Sequence, residues 1–429
     1  MEYTKHYYDK LNETVYSGTH STGLKVYFIP KKGFSKKYAI IGTKYGSVNN
    51  KFIPLGKNKP VKIPDGVAHF LEHKMFEQSD GSNAFDKFSL YGANANAYTS
   101  FTTTCYLFSC TDNFNECFEH LLDYVQSPYY TDENVEKEQG IIGQEIRMYD
   151  DDGQWQVMIN QLKALYKNNP VKIDIAGTVE SISHITKETL YDCYRTFYNP
   201  SNMVITVCGD LNPDDVFAIA DKCIKTDTPH GEVTSIFPDE PNEICEKVIE
   251  TTSGVALPLF SVGFKDNVRV HGKELFKREL AVNIICKVLV GRSSKLFAKM
   301  YADGLINDEF GTDIMYENEF ACVSVGGEST QPEKVKDMIL NECERIKKDG
   351  FNAEDVERIK KAYYGSFMRN FNDVEDIAGL VERNALTDIN AFDFPEVFES
   401  IDNEYLKKVF DEVFKQENTA MSIVRPSGK

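Results

Sequence analysis

Tyr130-Thr-Asp-Glu-Asn-Val-Glu-Lys-Glu138 returns as Phe351-Asn-Ala-Glu-Asp-Val-Glu-Arg-Ile359, with Val135 and Val356 standing 221 residues apart. Each stretch opens a helix, and each follows a strand and a helix in the same order. In the first half a strand runs through Ala93 to Phe108 and a helix spans Asn113 to Val125; in the second, a strand at Phe320 to Gly326 precedes a helix at Glu333 to Lys348. A repeat at this spacing predicts two copies of one α+β unit, each an antiparallel sheet with helices packed on one face. A chain of 429 residues is too long for one core and accommodates both copies.

The remaining elements fill in around that echo. Alternation marks strands at Gly23 to Ile29 and Tyr38 to Thr43, and an apolar run closes the first half at Asn202 to Cys208. Helices are expected over Val67 to Phe76 with Asp65 as N-cap, over Asp132 to Met148, and over Thr189 to Phe197. The second half begins again with a strand at Ala256 to Phe264 and a helix at Leu275 to Leu289, and carries a last helix over Ala353 to Asn370. The polar, Pro-containing stretch from Lys225 to Lys247 reads as a linker, giving domains at 1–224 and 248–429 with 225–247 between them.

Composition narrows the function classes. With 41% hydrophobic and 27% charged residues the chain can bury a large core. The excess of 66 Asp and Glu over 48 Lys and Arg, a formal charge of -18, disfavours nucleic acid and anionic membrane surfaces as partners. Met1 to Lys10 has no apolar core of a signal peptide, and no apolar run reaches membrane-spanning length, so a cytoplasmic location is expected. Ten cysteines without a C-x-x-C pair are expected to be reduced, mostly buried small hydrophobes.

The chemistry concentrates in His69-Phe-Leu-Glu72-His73. With 8 histidines in the chain, an H-x-x-E-H string arises by accident about once in a hundred such sequences. On a helix, residues four apart share a face, so His69 and His73 can offer two imidazoles to one Zn²⁺ while Glu72 projects beside them. That is the inverted zincin pattern, in which the Glu is the general base. A catalytic zinc also takes a third protein ligand. The helix over Asp132 to Met148 offers Glu138 and Glu145, seven residues apart and so on one face at about 3.6 residues per turn. If Glu145 binds the metal, Glu138 can orient a histidine from behind.

Five stretches in order, His69 to His73, Asn94-Ala-Asn-Ala-Tyr-Thr-Ser100 leading to Tyr106, Glu138-Gln-Gly-Ile-Ile-Gly-Gln-Glu145, Gly177-Thr-Val-Glu-Ser181 and Tyr198-Asn-Pro-Ser-Asn-Met203, resemble the insulinase, pitrilysin and mitochondrial processing peptidase family of zinc peptidases. The resemblance covers nearly the whole first half, the second more loosely, and is closest to the small bacterial two-domain subunits of the YmfH-like kind. It implies a zinc endopeptidase acting on peptides or small unfolded proteins. It also implies His69, His73 and Glu145 as ligands, Glu72 as base and Glu138 as the supporting carboxylate. The strand carrying Asn94, Ala95, Asn96 and Ala97 would be an exposed edge to which an extended peptide adds.

The second half departs from the family pattern. Self-sufficient members carry an Arg and a Tyr seven residues apart that hold substrate and stabilise the oxyanion. In Leu296-Phe-Ala-Lys-Met300-Tyr-Ala-Asp-Gly-Leu305-Ile-Asn307 those places fall on Met300 and Asn307, with Tyr301 and Arg292 nearby but out of register. The second half has no H-x-x-E-H, and Ser366 stands opposite Glu145 at the 221-residue offset. The resemblance therefore implies a partner, a metal-free homologous subunit supplying the Arg and the Tyr, and little activity from this chain alone. The alternative is a non-catalytic peptide-binding or assembly subunit. Asp150-Asp-Asp-Gly153 reads as a solvated turn, Trp155 as a core residue, and His6, His20, His120, His184, His230 and His271 as structural or exposed.

Overall fold

In the computed structural model, which describes residues 1–428, the first half runs β1 (Tyr3–Tyr8), β2 (Glu13–Thr19), β3 (Lys25–Pro30), β4 (Lys37–Thr43), β5 (Lys51–Ile53) and β6 (Val61–Lys62). Helices α1 (Val67–Lys74) and α2 (Ala84–Leu90), strands β7 (Asn94–Thr99) and β8 (Thr104–Cys110), and helices α3 (Phe114–Val125), α4 (Asp132–Asp150) and α5 (Gly153–Leu165) follow. It closes with α6 (Val179–Ile182), α7 (Lys187–Phe197), β9 (Met203–Gly209) and α8 (Pro213–Cys223). After β10 (Thr234–Ser235) come β11 (Val248–Ser253), β12 (Leu259–Asp266), α9 (Gly272–Val290), α10 (Lys295–Ala302), β13 (Gly311–Tyr316) and β14 (Ala321–Glu328). The end of the chain holds α11 (Pro332–Asp349), α12 (Ala353–Arg369), α13 (Val374–Leu386), α14 (Phe394–Glu399), α15 (Asn403–Val413) and β15 (Thr419–Pro426).

The repeat is written into the sheets. The first has the order β1-β2-β3-β9-β4-β8-β7, the second β11-β15-β12-β14-β13, and the last five strands of the first match the five of the second position by position. All neighbours are antiparallel except β3 with β9 and β11 with β15, one parallel pair in each. A strand that returns after a long helical excursion can lie parallel to an earlier one, which a tight hairpin cannot allow. A small ribbon of β10, β5 and β6 stands apart from both sheets.

Membership of the two compact units does not follow chain order. The first comprises residues 1–146, 174–237 and 368–392; the second comprises 147–173, 238–367 and 393–429. Each unit thereby takes one helix from the other half of the sequence. In the first, α13 packs on β4 and β9; in the second, α5 packs on β12 and β15, and the ranges of the two helices lie 221 residues apart.

Strand alternation explains where these helices sit. In the first unit Ala39, Ile41, Phe108, Ile205 and Val207 point into a core built with Phe70, Leu71, Phe118, Leu121, Leu190 and Phe197. Gly42 and Thr206 fall on the opposite face, under α13. A Cβ on Gly42 would lie 2.5 Å from Glu382 Oε1, so glycine is required by the approach of the helix, not by its own backbone.

Two local expectations change. The segment Ala93 to Phe108 is not one strand but the hairpin β7–β8, because the Ser100 hydroxyl accepts from the amides of Thr102 and Thr103 and closes a turn within the threonine-rich run. Asp65 does not cap α1. Gly66 occupies the N-cap with φ 93°, no side chain caps the helix, and the Asp65 carboxylate accepts from Asn50 Nδ2 at 2.9 Å instead.

Candidate metal centre

Helix α1 is short and closely packed: Val67, Ala68, Phe70 and Leu71 are buried, which turns the His69–His73 face toward α4. Among the described residues, His69, His73 and Glu145 form a group whose donor atoms all lie within 4.8 Å of one another. Glu145 Oε1 is 3.6 Å from His69 Nε2, and its Oε2 is 3.5 Å from His73 Nε2. These separations are long for hydrogen bonds. They are close to the roughly 3.3 Å that separates two ligands of one tetrahedral Zn²⁺.

The electrostatics suit a cation. Burial, with His73 beside it, lowers the His69 pKa to about 3, so its imidazole is neutral and has a lone pair to give. Burial disfavours the cation at His73 too, but the hydrogen bond to Glu138 and the nearby carboxylates of Glu72, Glu138 and Glu145 outweigh it and raise the pKa. His73 Nδ1 lies 3.1 Å from Glu138 Oε1, which leaves Nε2 as the free donor. The second oxygen of Glu138 is 3.4 Å from Lys74 Nζ, and that buried ammonium is also paired with Glu77. Burial works against ionisation of Glu138, yet His73 and Lys74 hold its pKa below the ordinary value. The Nδ1 of His69 is buried without a hydrogen-bond partner, so only the His73 ring has a carboxylate behind it.

Glu72 is buried next to this group, and Thr99 donates its hydroxyl to Glu72 Oε2 at 2.6 Å. Burial raises the Glu72 pKa, partly offset by the Thr99 hydrogen bond and His73. A cleft of about 500 Å³ opens beside Glu72 and His73, walled by the stacked rings of Phe76 and Phe85 at 4.2 Å and by half-exposed Ile141.

Strand β7 is the outer strand of its sheet. Ser100 N–H donates to Thr103 O at 2.7 Å, and antiparallel pairs alternate between bonded and non-bonded, so Asn94, Asn96 and Tyr98 bond β8 while the main chains of Ala95, Ala97 and Thr99 face outward. The Ala97 N–H is accepted by Asn96 Oδ1 at 2.9 Å, as an amide off the ladder would be. Asn94 and Asn96 are themselves exposed.

The sequence did not single out Lys74, which directly follows the H-x-x-E-H string, or the hydroxyl of Thr99, which stands inside the Asn94 to Ser100 stretch; a cation following the second histidine was the one available signal. In the second unit Met300 is fully buried, Asn307 donates to Glu328 Oε2 at 2.6 Å, and Tyr301 is exposed. Ser366 lies on α12. The three aspartates end α4 and start α5, where Asp152 caps the amides of Gln154 and Trp155.

A two-fold repeated α+β scaffold with a histidine pair and a distant glutamate converging beside a buried carboxyl is an arrangement that could hold a metal ion, and the chain's relatives are zinc peptidases by name. The model of Insulinase (Peptidase family M16) matches residues 55–179, and that of the Peptidase M16 inactive domain matches residues 184–363. The chain is 43% identical over 426 residues to the uncharacterized zinc protease YmfH of Bacillus subtilis, covering 98% of both, and it belongs to the M16 family. It is also 28% identical over 200 residues to the mitochondrial-processing peptidase subunit beta of Caenorhabditis elegans, covering 46% of this chain and 43% of that one. An M16-like peptidase from Alicyclobacillus acidocaldarius has the same fold, with TM-score 0.93 and 31% identity over 100% of this chain and 99% of that one. No helix among the described residues is long and apolar enough to cross a membrane.

Proposed function

We propose that this chain is a zinc-dependent endopeptidase hydrolysing peptides or small unfolded proteins, the metal-bearing subunit of a cytosolic heteromeric processing peptidase. The observation that carries this reading is the convergence of His69, His73 and Glu145 with Glu72 alongside. His69 Nε2, His73 Nε2 and a carboxylate oxygen of Glu145 would hold the ion, whose Lewis acidity polarises a carbonyl and acidifies water. Glu138 orients His73 through Nδ1. Glu72 is the general base, taking a proton on a carboxylate oxygen and handing it to the leaving amine. An extended peptide would pair with the outward main-chain groups of Ala95, Ala97 and Thr99, with its side chains reaching the Phe76–Phe85 wall.

The heteromeric part rests on the second unit, where Met300 and Asn307 stand in the places expected for an Arg and a Tyr, and on the likeness to a processing-peptidase subunit. Ten unpaired cysteines suit a reducing compartment.

The test is metal analysis of the purified chain with cleavage of an unstructured fluorogenic peptide, alone and with a metal-free M16 relative. About one zinc per chain, lost in His69→Ala, is expected, with hydrolysis strongest in the mixture and abolished in Glu72→Gln while zinc stays bound. Equal zinc content in His69→Ala and wild type would instead favour the non-catalytic assembly subunit.

A further inference from the structure

The base and the peptide-binding edge meet in one residue. Thr99 ends β7, and its side chain points to the α1 side of the strand, where Oγ1 donates to Glu72 Oε2 at 2.6 Å. Its main-chain groups lie in the non-bonded register opposite Thr104 and so face the open edge. The neighbouring hydroxyl does not compete for Glu72, since Thr104 Oγ1 donates to Tyr45 O at 2.8 Å.

A buried Glu turns freely about its last torsion, which has broad, two-fold minima. One short charge-assisted bond from a β-branched residue, itself stiff at χ1, removes that freedom. We propose that Thr99 is a positioning residue for the general base: its hydroxyl holds Oε2 of Glu72, so that Oε1 is the oxygen presented for proton transfer, and its main chain ties that orientation to a peptide strand paired on the β7 edge. This rests on the peptidase reading above, and it adds that strand pairing and base alignment are one event.

Thr99→Val keeps the shape and removes the donor; Thr99→Ser keeps the donor. With zinc-loaded protein and an unstructured fluorogenic peptide, supplied with the metal-free relative if the chain alone is silent, Thr99→Val should lose about tenfold in kcat, the scale of one hydrogen bond to a charged group. KM, zinc content and melting temperature should stay near wild type, and Thr99→Ser should restore most of the rate. A crystal structure of zinc-loaded Thr99→Val should find the Glu72 carboxylate rotated from its wild-type position. Unchanged kcat in Thr99→Val, or an unrotated carboxylate, overturns the inference, as does a loss that Ser does not rescue. If Glu72→Gln is inactive while Thr99→Val is fully active, only the role of Thr99 falls; if Glu72→Gln retains full activity, the general-base reading falls with it. Where no peptide is cleaved by any variant, the carboxylate position still decides the role of Thr99.

Discussion

The two sheets make the same contact with different chemistry. Gly42 and Gly263, 221 residues apart, each leave room for a polar side chain from the helix above, Glu382 on α13 in the first unit and Gln161 on α5 in the second, also 221 apart. Gln161 is satisfied at both ends: its Oε1 accepts from Ser261 Oγ and its Nε2 donates to Ser324 Oγ. Ser324 pairs across the ladder with Gly263. The residue paired with Gly42 is Cys105, a weak donor, and the place of Ser261 is taken by Ile40. Glu382 Oε2 accepts from Thr206 Oγ1 at 2.6 Å and the Gly42 N–H adds a weaker pull toward the charged form, while Oε1 is buried with no side-chain donor. Burial raises its pKa well above 4.5 despite Thr206 and the Gly42 N–H, so the neutral acid is favoured where the other unit uses an amide. One backbone solution thus tolerates two polar solutions, and only the acid makes folding depend on pH.

The units differ most in the group of His69, His73 and Glu145, which only the first carries, and the largest effect should come from the zinc proposed there. Zinc at about a thousand times its Kd stabilises a native state by about 4 kcal/mol. Hydrogen exchange should therefore slow in α1 and α4 on loading and speed on chelation, with α12, whose Ser366 replaces Glu145, unchanged. Equal protection of α4 and α12 would dissolve the distinction. Next comes Glu382. Below about pH 4.5 folded and unfolded chains both hold its proton, so stability does not depend on it. Above that the unfolded chain releases the proton while the folded chain keeps it, folding takes one up, and stability falls by up to about 1.4 kcal/mol per pH unit until the raised folded value is reached. Glu382→Gln should flatten that fall in urea midpoints measured from pH 5 to pH 9. An identical slope in wild type and variant would mean that Glu382 is ionised in the fold.

What the sequence disclosed was local or periodic. The 221-residue echo disclosed the duplicated scaffold because α4 and α12 keep their helix-start residues in register. His69, Glu72 and His73 were legible because one helical turn fixes their geometry, and the seven-residue spacing placed Glu138 and Glu145 on one face. The exchanged helices were hidden, since amphipathic periodicity in α5 or α13 says that a face is buried but not on which sheet. Glu382 meets Gly42 across 340 residues of chain, and no spacing rule connects them. Thr99 carried no signal of its own in the sequence because its bond to Glu72 exists only after β7 docks beside α1. Lys74 hid for a related reason: a charged residue next to a motif reads as surface, yet it is buried between Glu77 and Glu138.

Smaller effects should follow from the glycines. A methyl at Gly42 would stand 2.5 Å from Glu382 Oε1 and 2.9 Å from Cys105 Sγ, and at Gly263 2.7 Å from the Gln161 side chain. Overpacking of this kind costs about 1–3 kcal/mol. Gly42→Ala should fall toward the upper end, because it presses on an oxygen already lacking a side-chain donor; chemical denaturation of both variants compares the sites directly.

The smallest effect is the most diagnostic. Cys105→Ser copies into the first unit the hydroxyl that Ser324 supplies in the second, and a donor for Glu382 Oε1 should stabilise by about 1 kcal/mol or less. That gain alone could come from any better-packed side chain. A double-mutant cycle separates the two causes, because residues that share a hydrogen bond are non-additive. The gain from Cys105→Ser should change when position 382 carries Gln, whose amide can itself donate, and it should grow with pH only while Glu382 is present. Strict additivity of Cys105→Ser and Glu382→Gln at both pH 5 and pH 8 would show that the sulfur and the acid merely touch, and that the asymmetry between the two helix contacts has no energetic consequence.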